Sequence, residues 1–322
     1  MNYEFLGNTG VRVSELCFGT MSFGDTADFE TSEAMFRRCR EAGVNFFDTA
    51  DLYAGGRSEE ILGELIADCR DEVVLATKAY FPTGDGPNER GSSRYHLVRA
   101  VEGSLRRLGT DRIDLFYLHR FDERTGLEET LRAVDDLVAD GKILYPAVSN
   151  FAAWQVARAL GKQELHRWAP LVAIQPMYNL VKRQAEVELL PMAESERLGV
   201  FPYSPLGGGL LTGKYVDGEP DRGRLVESDL YETRYGDELN HTVAARFVDF
   251  ARQHGYDPVG LAVAWVAAHP AVTAPIIGAR NVDQLDDSLA SVDIAMDDEL
   301  RAAISELSPT PPPATDRTEE AT

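Results

Sequence analysis

The chain has little cysteine, little lysine, no excess of positive charge and no long apolar run. Its three cysteines, Cys17, Cys39 and Cys69, are an odd set with no CxxC spacing and no histidine partners. That leaves no basis for a zinc or dithiol site; no metal is expected, and the thiols read as free and buried. Only Lys78, Lys142, Lys162, Lys182 and Lys214 are lysine among 32 basic residues, against 53 acidic ones, for a formal net charge of −21. Nucleic acid and anionic lipid both demand clustered positive charge, so neither is expected as a partner. No apolar run reaches the roughly 18 residues of a membrane span, and the opening "MNYEFLGNTGVRVSEL" lacks the apolar core of a signal sequence. A cytoplasmic location is expected.

Against these absences stands one regular pattern. Short apolar strands alternate with amphipathic helices throughout. "YEFL" and "VRVSEL" flank "GNTG" as a hairpin. The strands "LCFGTM", "VNFFDT", "EVVLATKAY", "IDLFYLH", "ILYPAVSN", "LVAIQPMY", "VFPYSPL" and "APIIGA" follow, separated by helical segments such as "SEAMFRRCREAG" and "LEETLRAVDDLVADG". Crossover connections force parallel strands, and eight such units closing on themselves give a (β/α)8 TIM barrel, an α/β fold. An open doubly wound sheet competes, but no GxGxxG turn follows the first strand, where a dinucleotide-binding sheet would want it. A single domain over residues 1–308 is expected, with a long polar insertion after the seventh strand and a disordered, acidic Pro/Thr-rich tail over 309–322.

In a barrel the strand C-termini converge on one face. Asp48 closes the second strand and Tyr53 lies just beyond; Lys78 closes the third and His119 the fourth. The apolar "NFF" before Asp48 is expected to line the interior. Each ionisable residue taken alone has a structural explanation, as a cap, a solvated cation or a hydrogen-bonded core histidine. Their joint position at consecutive strand ends favours chemistry. A phenol is a poor proton donor at neutral pH, and a neighbouring ammonium is expected to lower its pKa. Lys78 would supply that charge, Asp48 would hold Lys78, and a neutral His119 could orient a carbonyl oxygen. The set suits protonation of a forming alkoxide, one half of a carbonyl reduction, the other half being a hydride donor.

These motifs, with "LATK", "LFYLH", "SNF", "IQPMYN", "YSPLGGGLLTGKY" and "PIIGARNVDQLDDSL" in order, resemble the aldo-keto reductase superfamily over nearly the whole chain. The resemblance implies Asp48, Tyr53, Lys78 and His119 as a catalytic tetrad with Tyr53 as general acid. It further implies an NAD(P)H site without a Rossmann fold. Ser149, Asn150 and Gln175 would bind the nicotinamide carboxamide and Tyr203 would stack on its ring. Ser204, Leu206 and Gly208 would meet the pyrophosphate, with Lys214 and Arg224 adding charge. Gly278, Arg280 and Gln284 would lie at the adenosine 2′-phosphate, and Asp287 and Ser288 at the adenine end. Asp287 and Ser288 depart from the commoner Glu and Asn, and Gln284 stands where many relatives carry Arg; NADPH is expected, with NADH the alternative. Met21, Phe23, Tyr80 and Phe81 are expected around a small-molecule carbonyl substrate. The alternatives are a slow-turnover nucleotide-binding regulatory protein resembling potassium-channel β-subunits, and a barrel isomerase or hydrolase, which the lack of acidic metal-ligand clusters disfavours.

Acid excess with scarce lysine suits a surface kept soluble in concentrated salt, where screening removes most self-repulsion; the alternative is an ordinary acidic enzyme. The high-salt reading predicts that the thermal unfolding midpoint rises on moving from dilute buffer to ~2 M KCl. Indifference to KCl contradicts it.

Overall fold

Alternation along the strands decides which way each side chain faces. The computed structural model describes residues 1–216, 218 and 223–315. Two short antiparallel strands, β1 (Tyr3–Phe5) and β2 (Arg12–Ser14), form the expected hairpin. The parallel sheet follows as β3 (Cys17–Gly19), β4 (Phe46–Asp48), β5 (Val74–Ala79), β6 (Ile113–Leu118), β7 (Ile143–Ser149), β8 (Ala173–Gln175), β9 (Gly199–Val200) and β10 (Ile276–Ile277). Each pairs with its chain neighbour and β10 pairs back with β3. The remaining seam, between β9 and β10, is bridged by backbone hydrogen bonds from Thr273 N to Val200 O (2.9 Å) and Ile276 N to Pro202 O (2.8 Å). All eight expected barrel strands are therefore present.

Inside the barrel, Cys17, Phe46, Ala76, Leu115, Tyr117, Ala147, Ala173 and Phe201 form one buried cluster, to which the hairpin adds Leu6 and Val13. The hairpin thus plugs the barrel floor. Gly7, at φ +53°, makes the fit possible: a Cβ there would stand 2.4 Å from Val172 O. The residues between the inward ones face outward to the helices, which corrects the expectation that both phenylalanines of "NFF" line the interior. Phe46 does, against Phe201 at 4.8 Å between ring centroids; Phe47 points out to Phe36 at 4.9 Å.

The helical layer comprises α1 (Phe29–Glu41), α2 (Arg57–Ile66), α3 (Arg94–Leu108), α4 (Leu127–Ala139), α5 (Ala153–His166), α6 (Leu189–Ser195), α7 (Arg224–Glu227), α8 (Asp229–Tyr235), α9 (Glu238–Gln253), α10 (Pro258–Ala267), α11 (Val282–Leu289) and α12 (Asp298–Ser305). Local chemistry sets their ends. Asp28 caps α1 by accepting from Thr31 N at 2.9 Å, and Met35, Phe36 and Cys39 recur on its buried face. Ser93 caps α3, which stops at Gly109 in the left-handed conformation.

The insertion after β9 is more ordered than a polar loop, since α7 and α8 lie within it and bury Leu225, Tyr231 and Tyr235. Of the expected tail, 309–315 carry no helix or strand, and 316–322 lie outside the described residues. Among the described residues no helix is long and apolar enough to cross a membrane, and no group of His, Cys, Asp and Glu is arranged to hold a metal ion.

Candidate active site

Strand register brings the ionisable residues to one rim. Asp48 pairs with Gly19 and Ala76 in the sheet, and Lys78 pairs with Tyr117. Beyond β4 the chain keeps to the edge of β5, with Thr49 N donating to Ala76 O at 2.9 Å and Asp51 N to Lys78 O at 3.1 Å. A tight turn follows, in which Ala54 (φ +48°) and Gly55 (φ +64°) are both left-handed, and it holds Tyr53 over the strand ends.

The Lys78 ammonium is completely buried. It donates to Asp48 Oδ1 at 2.5 Å, Thr49 O at 2.6 Å and Tyr53 Oη at 3.3 Å. Burial works against its charge, but Asp48 and Tyr53 more than offset this and leave its pKa raised. The phenol departs from expectation. Burial pushes its pKa up, Lys78 only partly opposes that, and the net direction is upward. Tyr53 therefore keeps its proton at neutral pH, as a donor must. His119 lies beside it, ring centroids 6.3 Å apart at 80°. Burial and then the Lys78 charge hold His119 far below the usual imidazole range, so it is neutral, and its Nδ1 is buried without a partner.

The residues expected at the nicotinamide end are gathered on the same rim, largely bonded to one another. Gln175 donates to Asp48 Oδ2 at 2.9 Å, and Ser149 Oγ donates to Gln175 O at 3.0 Å. Asn150, left-handed at φ +58°, donates to His119 O at 3.0 Å and accepts from the Tyr203 hydroxyl at 2.8 Å. Ser204 is also left-handed, at φ +58°, and its carbonyl accepts from Asn179 Nδ2 at 2.9 Å. Leu206 is half-buried. At Gly208 the missing side chain admits Tyr231 and Tyr235, whose ring atoms would lie 3.0 and 3.1 Å from a Cβ.

Further out, Lys214, Arg224 and Arg280 gather around Glu227, which pairs with Arg280 at 3.0 Å. Burial, then Arg280 and Arg224, lowers the Lys214 pKa, the mark of cations crowded together. Arg280 N donates to Gln284 Oε1 at 3.2 Å, and Gly278 is exposed beside them. Asp287 is exposed among Asp283, Asp286 and Asp257. Ser288 does not match its expected role: it is buried, its hydroxyl 3.4 Å from Gln284 O on its own helix.

The model of the aldo/keto reductase family matches residues 15–309. The chain belongs to the aldo/keto reductase family. It is 40% identical to a Bacillus subtilis protein named "Uncharacterized oxidoreductase YrpG", over 97% of each chain. It is 37% identical to the rice protein named "Probable voltage-gated potassium channel subunit beta", covering 91% of this chain and 92% of that one. A third relative, "L-glyceraldehyde 3-phosphate reductase" of Escherichia coli strain K12, is 32% identical over 91% of this chain and 88% of its own. Members of the family use nicotinamide cofactors on small-molecule carbonyl substrates.

The donor set of this aldo/keto reductase fits such a cofactor. Among the described residues Lys214, Arg224 and Arg280 gather around the one carboxylate of Glu227, which suits a polyphosphate. Of the expected substrate residues, Met21 is exposed at the rim, and Tyr80 and Phe81 are half-buried, Phe81 lying against His119 at 4.9 Å between centroids. Phe23 is a correction: it is fully buried and packs on Phe18 at 5.8 Å. Strand-end reasoning also missed Tyr231 and Tyr235, although their i,i+4 spacing signals one helix face.

A second omission is a carboxylate pair behind Lys78. Glu59 is fully buried, accepting from Thr77 Oγ1 at 2.5 Å and Arg107 Nε at 2.7 Å. Asp51 is 2% exposed, with neither carboxylate oxygen hydrogen-bonded. Burial, then Glu59, raises its pKa from the ordinary 3.8 to about 7. The folded state therefore holds this proton more tightly than the unfolded chain does. The resulting stability is full below about pH 4 and is lost as pH rises through about 7. Asp51→Asn is accordingly expected to gain in urea midpoint over wild type between pH 5 and pH 8, and a constant offset across that range contradicts the assignment.

Proposed function

We propose that this aldo/keto reductase reduces an aldehyde or ketone to an alcohol with Tyr53 as general acid and NADPH as cofactor. The observation that carries the reading is the Tyr53 hydroxyl 3.3 Å from an Lys78 ammonium that is itself 2.5 Å from Asp48. The nicotinamide, when bound, supplies the hydride. Ser149, Asn150 and Gln175 would hold its carboxamide, with Tyr203 beside the ring. Because Gln175 and Asn150 already bond to Asp48 and His119 O, the same side chains tie the cofactor end to the acid end.

His119, neutral, orients the carbonyl oxygen toward the phenol. Tyr53 donates its proton to that oxygen as charge develops, and the fixed Lys78 ammonium stabilises the phenolate left behind. Desolvation keeps the phenol protonated beforehand, so the acid is armed at neutral pH. Asp48 keeps Lys78 charged in a site where burial alone would favour the neutral amine.

Lys214, Arg224 and Arg280 favour NADPH over NADH, since an extra dianionic phosphate has guanidinium and ammonium partners. Glu227 opposes them, and Arg280 must leave it to reach a phosphate. A second reading, tight nucleotide binding with slow turnover in a regulatory role, draws on the likeness to proteins named as potassium channel subunits beta.

Following NADPH and NADH absorbance with a panel of aromatic aldehydes separates the two. The reductase reading expects turnover that Tyr53→Phe lowers by about 10²–10⁴-fold with cofactor affinity retained. Tight binding without turnover in wild type would instead favour the regulatory role.

A further inference from the structure

We propose that the cleft between the loops after β5 and β6 is an anion subsite for the far end of the carbonyl substrate, so that the preferred substrates carry a carboxylate or phosphate. This rests on the reductase reading above. The cleft has a volume of about 410 Å³, and its walls include Tyr80, Phe121, Arg90, Arg120 and Arg124. It adjoins the reacting end through the chain itself. Arg120 directly follows His119, and Tyr80 packs edge-on against Phe81 at 5.3 Å, which packs against the His119 ring at 4.9 Å.

The cations here are free. Elsewhere arginines are commonly bound to carboxylates, as Arg38 is to Asp286, Arg70 to Asp114 and Arg107 to Glu59. The guanidinium groups of Arg90, Arg120 and Arg124 have no hydrogen-bond or ion-pair partner among the described residues. Two carboxylates share the lining. Asp122 is already occupied, its oxygens accepting from Ser92 N at 2.8 Å, Thr125 Oγ1 at 2.7 Å and Arg124 N at 3.0 Å. Three guanidinium groups therefore face two carboxylates, which leaves the lining with an excess of one positive charge. On a protein of net charge −21 that local excess is the opposite of the background. It would draw an anion into the cleft against the repulsion of the protein's net negative charge.

The walls are also fixed. Gly91 N donates to Tyr80 O at 2.7 Å and closes the base of the β5 loop, which holds Arg90 at its neck. Asp122 bonds across to Ser92 and so ties the two loops together; a Cβ on Gly91 (φ +91°) would stand 2.9 Å from that carboxylate. Guanidinium groups on preset loops offer the forked donors that carboxylate and phosphate oxygens match.

The test uses a matched series of benzaldehyde, 4-carboxybenzaldehyde and 4-formylphenyl phosphate with wild type, Arg120→Ala and Arg124→Ala. Charged members should have KM values several-fold below benzaldehyde, and whichever anion gains more identifies the favoured class. Each substitution should raise KM for the favoured anion about tenfold and for benzaldehyde by less than about twofold. Equal KM values across the series in an active enzyme, or variants that weaken all three aldehydes alike, overturn the subsite and leave the reductase reading intact. Absence of turnover with every aldehyde overturns that reading instead. Calorimetry with phenyl phosphate and benzoate then still decides the subsite: binding that Arg120→Ala weakens supports it, and no binding of either rejects it.

Discussion

The buried ion pair between Asp48 and Lys78 is the constraint on which the site depends. A fully buried ammonium is costly unless its hydrogens are satisfied, and here Asp48, Thr49 O and Tyr53 take all three. Such a pair adds little net stability and is strongly destabilising to break. What it provides is a fixed positive charge under a phenol. Barrel topology makes the arrangement possible, because adjacent parallel strands end at one rim, with Asp48 opposite Ala76 and Lys78 two residues further along the neighbouring strand.

Physical reasons separate what was legible in the sequence from what was not. Short apolar runs separated by helix-periodic segments disclose the strands, and the polar residue ending each apolar run discloses the rim. Asp48, Tyr53, Lys78 and His119 were visible this way because chain position alone assigns a strand end to a face. Sidedness within a strand was harder. "NFF" gives no alternation, so Phe47 could not be separated from Phe46 until the helix layer supplied Phe36 as its partner.

Pairings across long sequence separations were not legible. Nothing local to Gln175 indicates that its amide is taken by Asp48, or that Arg280 is held by Glu227 from the insertion. The balance of opposing fields was hidden as well. An ammonium beside a phenol suggests a lowered pKa, yet burial outweighs it, a result that depends on how much protein surrounds the ring. Ser288 and Phe23 were assigned by motif position, whereas packing has turned both inward.

Charge ties the two ends of the site together. Acidic residues outnumber cations in this chain, yet cations gather at two places on the rim: Lys214, Arg224 and Arg280 on one side and Arg90, Arg120 and Arg124 on the other. Tyr53 and Lys78 lie in the barrel mouth between the elements that carry them. The account turns on the Lys78 charge stabilising the phenolate of Tyr53, and single-turnover reduction of an aromatic aldehyde by NADPH-loaded protein tests it directly. Lys78→Met should bind NADPH yet transfer hydride at least about a hundredfold more slowly than wild type. Transfer at the wild-type rate in that variant would contradict the account.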